Sequence, residues 1–286
     1  MFDDFTLAHI DTGEATLRVR YGGDGPPIVL VHGHPRTHMT WHAVADDLAR
    51  DHTVVCPDLR GYGRSSKPPA GDDFAGYSKR AMAGDINALM RALGHERYAV
   101  AGHDRGCYVA MRLALDHPDA VTHVALLEGV PISEALRRTD ATFAARWWHW
   151  WFFGQTEKPA ERVINADPDA WYRFTPEFMG PEAYADVRAA VHDPATVHAM
   201  VCDYRAGLRI DREIEEEDRA AGRKITCPAL YCWATRDDME ELYGDPAAIW
   251  GDWAADLEAA PIDSGHHMAE ENPSALAGAL RRLTQR

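Results

Sequence analysis

The 286-residue sequence predicts an α/β protein, with a mostly parallel central sheet flanked by helices and a helical cap inserted into it. Three observations carry that expectation. Short apolar runs alternate with stretches of helical spacing, as parallel strands with crossover helices do. The long segment between the run at Val121–Leu127 and the run at Pro228 has helical spacing, many aromatics and no strand signal. A glycine-flanked turn, Gly102-His103-Asp104-Arg105-Gly106, joins one run to a helical pattern.

Taken in order, Pro27–Val31 reads as a buried strand that ends in a Gly-Pro loop, His32-Gly33-His34-Pro35. Thr53–Cys56 is a second strand, stopped by Pro57. Tyr98–Ala101 leads into the Gly102 turn, and the helical pattern Cys107–Asp116 ends at His117-Pro118. Val121–Leu127, Pro228–Trp233 and Leu257–Ile262 supply the remaining runs. The expected division is residues 1–132 as the first part of the core, 133–223 as the cap and 224–286 as the second part of the core.

Hydrophobic residues at 46% and charged residues at 26% are ordinary for a globular chain, so bulk disorder is not expected. A formal charge of -15 argues against nucleic acid or an anionic membrane as partner. Five cysteines without regular spacing do not describe a disulfide framework, and Cys227 with Cys232 has no second pair to complete a metal site. His34, His38 and His42 are spaced for one helix face but lack a completing carboxylate, so no metal is expected. Met1–Gly23 offers no signal-peptide pattern and no run approaches the length of a membrane span; a cytoplasmic enzyme on a small-molecule substrate is expected.

The turn at 102–106 has the sequence form of a nucleophile elbow, with Asp104 at the apex where esterases carry serine. A carboxylate there can displace a leaving group from saturated carbon and form an enzyme-bound ester. Ser264-Gly265-His266-His267 follows the last strand, where the general base of such enzymes sits. With His32-Gly33-His34-Pro35 and Asp58–Ser65 also in order, the chain resembles the fluoroacetate dehalogenases, within the wider group of α/β-hydrolase-fold haloalkane dehalogenases and epoxide hydrolases. Trp147–Phe153 contains the His-Trp pair of that family's cap at His149-Trp150, and Asp203-Tyr204-Arg205-Ala206-Gly207 matches its later cap segment.

The resemblance implies the α/β-hydrolase fold, Asp104 as nucleophile, His266 as base and His149, Trp150 and Tyr204 as a halide cradle. It also implies Arg105 as a holder of the substrate carboxylate, backbone N–H groups of His34 and Arg105 as oxyanion donors, no cofactor, and a homodimer. Three positions depart from the family. Tyr108 stands where a second arginine is expected, His34 where the loop has phenylalanine, and Glu128 where the supporting acid is usually aspartate. Glu128 is the expected partner of His266, with Asp237, after the following strand, as the alternative. The implied reaction is dehalogenation of a short 2-haloacid. An epoxide hydrolase using the same Asp104 and His266 is the rival, since an uncharged epoxide has no need of the missing arginine. A haloalkane dehalogenase fits less well because Arg105 follows the nucleophile where that group commonly has tryptophan, and a catalytically silent binding protein fits poorly with a complete nucleophile, base and acid.

Overall fold

A computed structural model describes all of residues 1–286. Eight strands form one sheet: β1 (Thr6–Asp11), β2 (Thr16–Gly22), β3 (Pro27–Val31), β4 (Thr53–Pro57), β5 (Tyr98–His103), β6 (Val121–Leu127), β7 (Ala229–Ala234) and β8 (Leu257–Ile262). Their spatial order is β1-β2-β4-β3-β5-β6-β7-β8. From β4 to β8 all pairs are parallel, while β1 and β2 add an antiparallel edge. The six apolar runs become the parallel strands. The edge hairpin went unrecognised in the sequence because its charged residues interrupt the apolar pattern. Leu17 and Val19 are nevertheless fully buried, and Gly13 turns the hairpin at φ 97°.

Alternation along the inner strands builds two apolar layers. Val29, Val31, Val55 and Val100 face the larger layer, against the helices Lys79–Ala92 and Arg105–Asp116. Ile28, Leu30, Val54, Ala99 and Ala101 face the other, against His42–Leu48 and Pro273–Thr284. Each inner strand is therefore buried on both faces, which is why it reads as a continuous apolar run.

Between β6 and β7 the chain is helical, from Ile132–Arg137 to Arg212–Ala220. This segment lies over the C-terminal ends of the parallel strands. Those ends lead into His34, Asp104, Glu128, Asp237 and His266, following β3, β5, β6, β7 and β8 respectively. Parallel strands point one way, so their loops gather at one edge of the sheet and present these side chains to a common space. No helix is long and apolar enough to cross a membrane.

Candidate active site

Asp104 occupies the sharp turn between β5 and the helix Arg105–Asp116, at φ 53° and ψ -119°. A non-glycine residue in the left-handed region is strained, and here the strain aims the carboxylate above the sheet. The turn needs its glycines for space. A Cβ on Gly106 would sit 2.3 Å from the Val31 carbonyl oxygen, and one on Gly102 would sit 2.0 Å from that of Gly106.

The amide of His34 donates to Asp104 Oδ1 at 2.6 Å. Asp104 Oδ2 lies 3.9 Å from His266 Nε2, and His266 Nδ1 lies 2.8 Å from Asp237 Oδ2. Burial opposes the charge on Asp104, but the His266 imidazole and the Arg105 amide outweigh it and hold the carboxyl below its usual range. Burial likewise opposes a charge on His266, and is overcome by its hydrogen bond to Asp237 and the charge of Asp104. The imidazole is pushed up to about 9. Asp104 and His266 thus face one another as opposite charges near neutral pH, 3.9 Å apart.

Two sequence expectations are corrected here. Glu128 is not the partner of His266: Asp237 is, because the turn after β7 carries it to Nδ1. Glu128 sits at φ 53°, and its Oε2 accepts from the Ala234 amide at 2.5 Å. Burial, reinforced by the charge of Asp237, pushes its carboxyl to about 9, so it stands behind Asp237 as a neutral acid at pH 7. The second correction concerns Arg105. Its side chain is 1% exposed, and its fork is taken by Asp203 on the cap helix Pro194–Ala206. Nε donates to Oδ2 at 3.2 Å, while Nη2 donates to Oδ1 at 2.8 Å and to the Asp203 carbonyl at 2.9 Å. Lys79 and Tyr62 also bind Asp203. A buried guanidinium needs such partners, and only Nη1 is left without one. The charged centre lies 4.1 Å from the Tyr204 ring centroid, beneath the aromatic layer rather than in the cavity. Asp203 lay in the matched cap segment with no role implied for it, and Lys79 carried no signal beyond its place in the sequence.

The remaining expected residues do come together. His34, Tyr108, His149, Trp150 and Tyr204 line the same cavity of about 220 Å³ as Asp104, Glu128, Asp237 and His266. The His149 and Tyr204 ring centroids are 5.7 Å apart, and those of Trp150 and Tyr204 6.2 Å. No protein group is hydrogen-bonded to the Trp150 indole, the Tyr204 or Tyr108 phenol or the His149 imidazole, so all four tips are free for a ligand. Burial lowers His149 to about 4 and His34 to about 3 and raises Tyr204 and Tyr108 well above the usual phenol range. Near neutral pH these groups are uncharged. Arg146 also lines the cavity but is paired to Glu241 at 2.5 Å. Trp147 stacks on Trp150 at 5.2 Å and donates to Asp238, as a packing residue does, whereas Trp148 and Trp151 remain partly exposed.

The spaced histidines 34, 38 and 42 do not form a ligand set; His38 is buried on Asp58 at 2.8 Å. The ligand atoms of His103, His266 and His267, and of Glu128, Asp237 and His266, lie within 4.8 Å of one another. Both groups share His266, whose Nδ1 is held by Asp237.

The family model of the alpha/beta hydrolase fold matches residues 26–273. A fluoroacetate dehalogenase from Burkholderia sp is 39% identical, over 99% of this chain and 95% of that protein. The chain belongs to the fluoroacetate dehalogenase family of the α/β-hydrolase superfamily. Family likeness extends further: a soluble epoxide hydrolase from Corynebacterium sp. (strain C12) is 30% identical over 88% of this chain and 87% of its own. The crystal structure of ALR0039 from Nostoc sp PCC 7120, described as an alpha/beta hydrolase, superposes with a TM-score of 0.96 at 38% identity, covering all of both chains. Asp104, His266 and the cap residues His149, Trp150 and Tyr204 therefore sit in an α/β-hydrolase scaffold.

Proposed function

We propose that this hydrolase cleaves the carbon–halogen bond of a short 2-haloacid through an ester on Asp104. The observation that carries the reading is the cradle: three unpartnered N–H and O–H donors, from His149, Trp150 and Tyr204, share a cavity with an ionised nucleophile. With Oδ1 held by the His34 amide, Oδ2 is the attacking oxygen. It displaces halide from the carbon, and the anion departs toward these three donors. The likeness to a fluoroacetate dehalogenase supports the choice of leaving group.

Ester formation removes the negative charge of Asp104, one of the influences that keep His266 protonated. The imidazolium then releases its proton to solvent and becomes a base. Water attacks the carbonyl carbon of the ester, giving its proton to His266, while the oxyanion is met by the amides of His34 and Arg105. Collapse expels the hydroxy acid, which takes the proton from His266. Asp237 holds the tautomer and orientation of the ring throughout. For the substrate carboxylate, the Tyr108 phenol is the remaining donor in the cavity.

An epoxide is the second reading, favoured by one observation: Asp203 has taken the guanidinium that a carboxylate would want, leaving the phenols of Tyr108 and Tyr204 to donate to a ring oxygen. A panel of haloacetates and epoxides, followed by halide release and diol formation, separates the two. Asp104→Ala should remove turnover by three orders of magnitude or more, roughly. His266→Ala should arrest the reaction at an ester detectable by mass spectrometry on Asp104. Labelling of another residue overturns the mechanism.

A further inference from the structure

We propose that an aromatic chamber outside the reactive cavity is a subsite for a ring-sized apolar tail carried by the substrate. The inference rests on Asp104 chemistry in the inner cavity but concerns a different part of the molecule. The chamber has a volume of about 530 Å³, and His34 and His149 line both it and the inner cavity. The two spaces therefore adjoin across these two imidazoles. A haloacetate has few heavy atoms, and at roughly 30 Å³ for a water-sized group it needs little beyond the inner 220 Å³. The chamber is surplus to such a substrate.

Its walls are built for an apolar guest. Phe153, Trp171 and Phe174 face it, and Phe178, 73% exposed, stands at its rim. Phe178 leaves apolar surface in water at this rim, which a ring-sized guest would cover. Phe174 is held in place from both sides, stacked on Tyr172 at 5.3 Å and lying 5.2 Å from the Arg36 guanidinium, which is itself paired to Glu270 at 2.8 Å. A preorganised aromatic wall offers edge and face contacts to a ring without an ordering cost. The two shared imidazoles are neutral, so no charge between the spaces opposes an apolar group. The chamber's remaining cation, Arg173, has no carboxylate partner and sits on exposed backbone at φ 53°. Adjacency to the inner cavity, across two shared side chains, points to the distal part of the same substrate molecule as the occupant.

Binding and turnover test this separately. Titration calorimetry on the full chain would compare the unreactive acids acetate and 3-phenylpropanoate. The subsite predicts tighter binding of 3-phenylpropanoate by about tenfold or more. Trp171→Ala should remove most of that advantage, and Phe178→Ala, on an exposed side chain whose loss leaves the core intact, should reduce it. For turnover, kcat/KM from halide release would be compared between 2-chloro-3-phenylpropanoate and 2-chloropropanoate, with the ratio falling in both variants. Equal binding of the two acids, or an advantage insensitive to both variants, overturns the subsite even if halide is released. No halide from either chloroacid, with the binding preference intact, overturns the dehalogenase reading and leaves the subsite standing.

Discussion

Two carboxylic side chains compete for His266, and their chemistry differs because their surroundings differ. Asp237 is half-buried and hydrogen-bonded to the imidazole; although burial works against its charge, that bond holds it below its usual range. Glu128 is enclosed and kept neutral. Asp237→Asn should therefore cost about a thousandfold or more in turnover by releasing the ring, as loss of an orienting carboxylate does. Glu128→Gln, which replaces one neutral hydrogen-bonding group by another, should cost less than about tenfold. Steady-state kinetics on both folded variants decide it, and the opposite ranking would return Glu128 to the role the sequence suggested. A pH signature accompanies this. An unfolded glutamate ionises near its ordinary value, whereas folded Glu128 resists ionisation up to about 9. Between those values the unfolded state holds fewer protons, so this residue makes the fold less stable as pH rises. Glu128→Gln removes that loss, and its Tm relative to the parent should climb from pH 5 to pH 9. A pH-independent difference would show that Glu128 is ionised in the fold.

Among the elements, the helix Arg105–Asp116 shows how one cap residue redirects a catalytic neighbour. Residues 105 and 108 lie one turn apart, so spacing alone places both toward the pocket. Tyr108 does line it, but Asp203, arriving on the helix Pro194–Ala206, draws the Arg105 guanidinium under Tyr204. Tyr108→Arg should place a cation in the cavity with no carboxylate already bound to it. Haloacid KM should fall by a factor equivalent to about 1–3 kcal/mol of charge-assisted hydrogen bonding, with no gain for a neutral epoxide. Unchanged haloacid kinetics in a folded variant would mean that the carboxylate does not reach this turn. The same scale shows where patterning succeeds and fails. Doubly buried strands such as Pro27–Val31 announce themselves as unbroken apolar runs. The β1–β2 edge does not, since it alternates charged residues with the few that reach the core.

For the molecule as a whole, the charge of -15 sets a field that repels an anionic substrate before any contact is made. Added salt screens that field over a distance of about 8–10 Å at physiological strength. Haloacetate kcat/KM should accordingly rise with ionic strength, while that of a neutral epoxide stays flat. Falling haloacetate values would instead indicate that local cations such as Arg173 dominate capture.

What the sequence determined by itself follows from local rules. Apolar periodicity specified the parallel strands, the paired glycines specified the elbow, and the position after each strand specified Asp104 and His266. The tertiary structure alone decided which acid holds His266, where the Arg105 charge goes, and that an aromatic chamber adjoins the cavity. The reason is physical. Strand and turn signals arise from neighbours along the chain, whereas charge pairing and pocket shape arise between Asp203 and Arg105, or between His34 and Trp171, residues that only folding brings together.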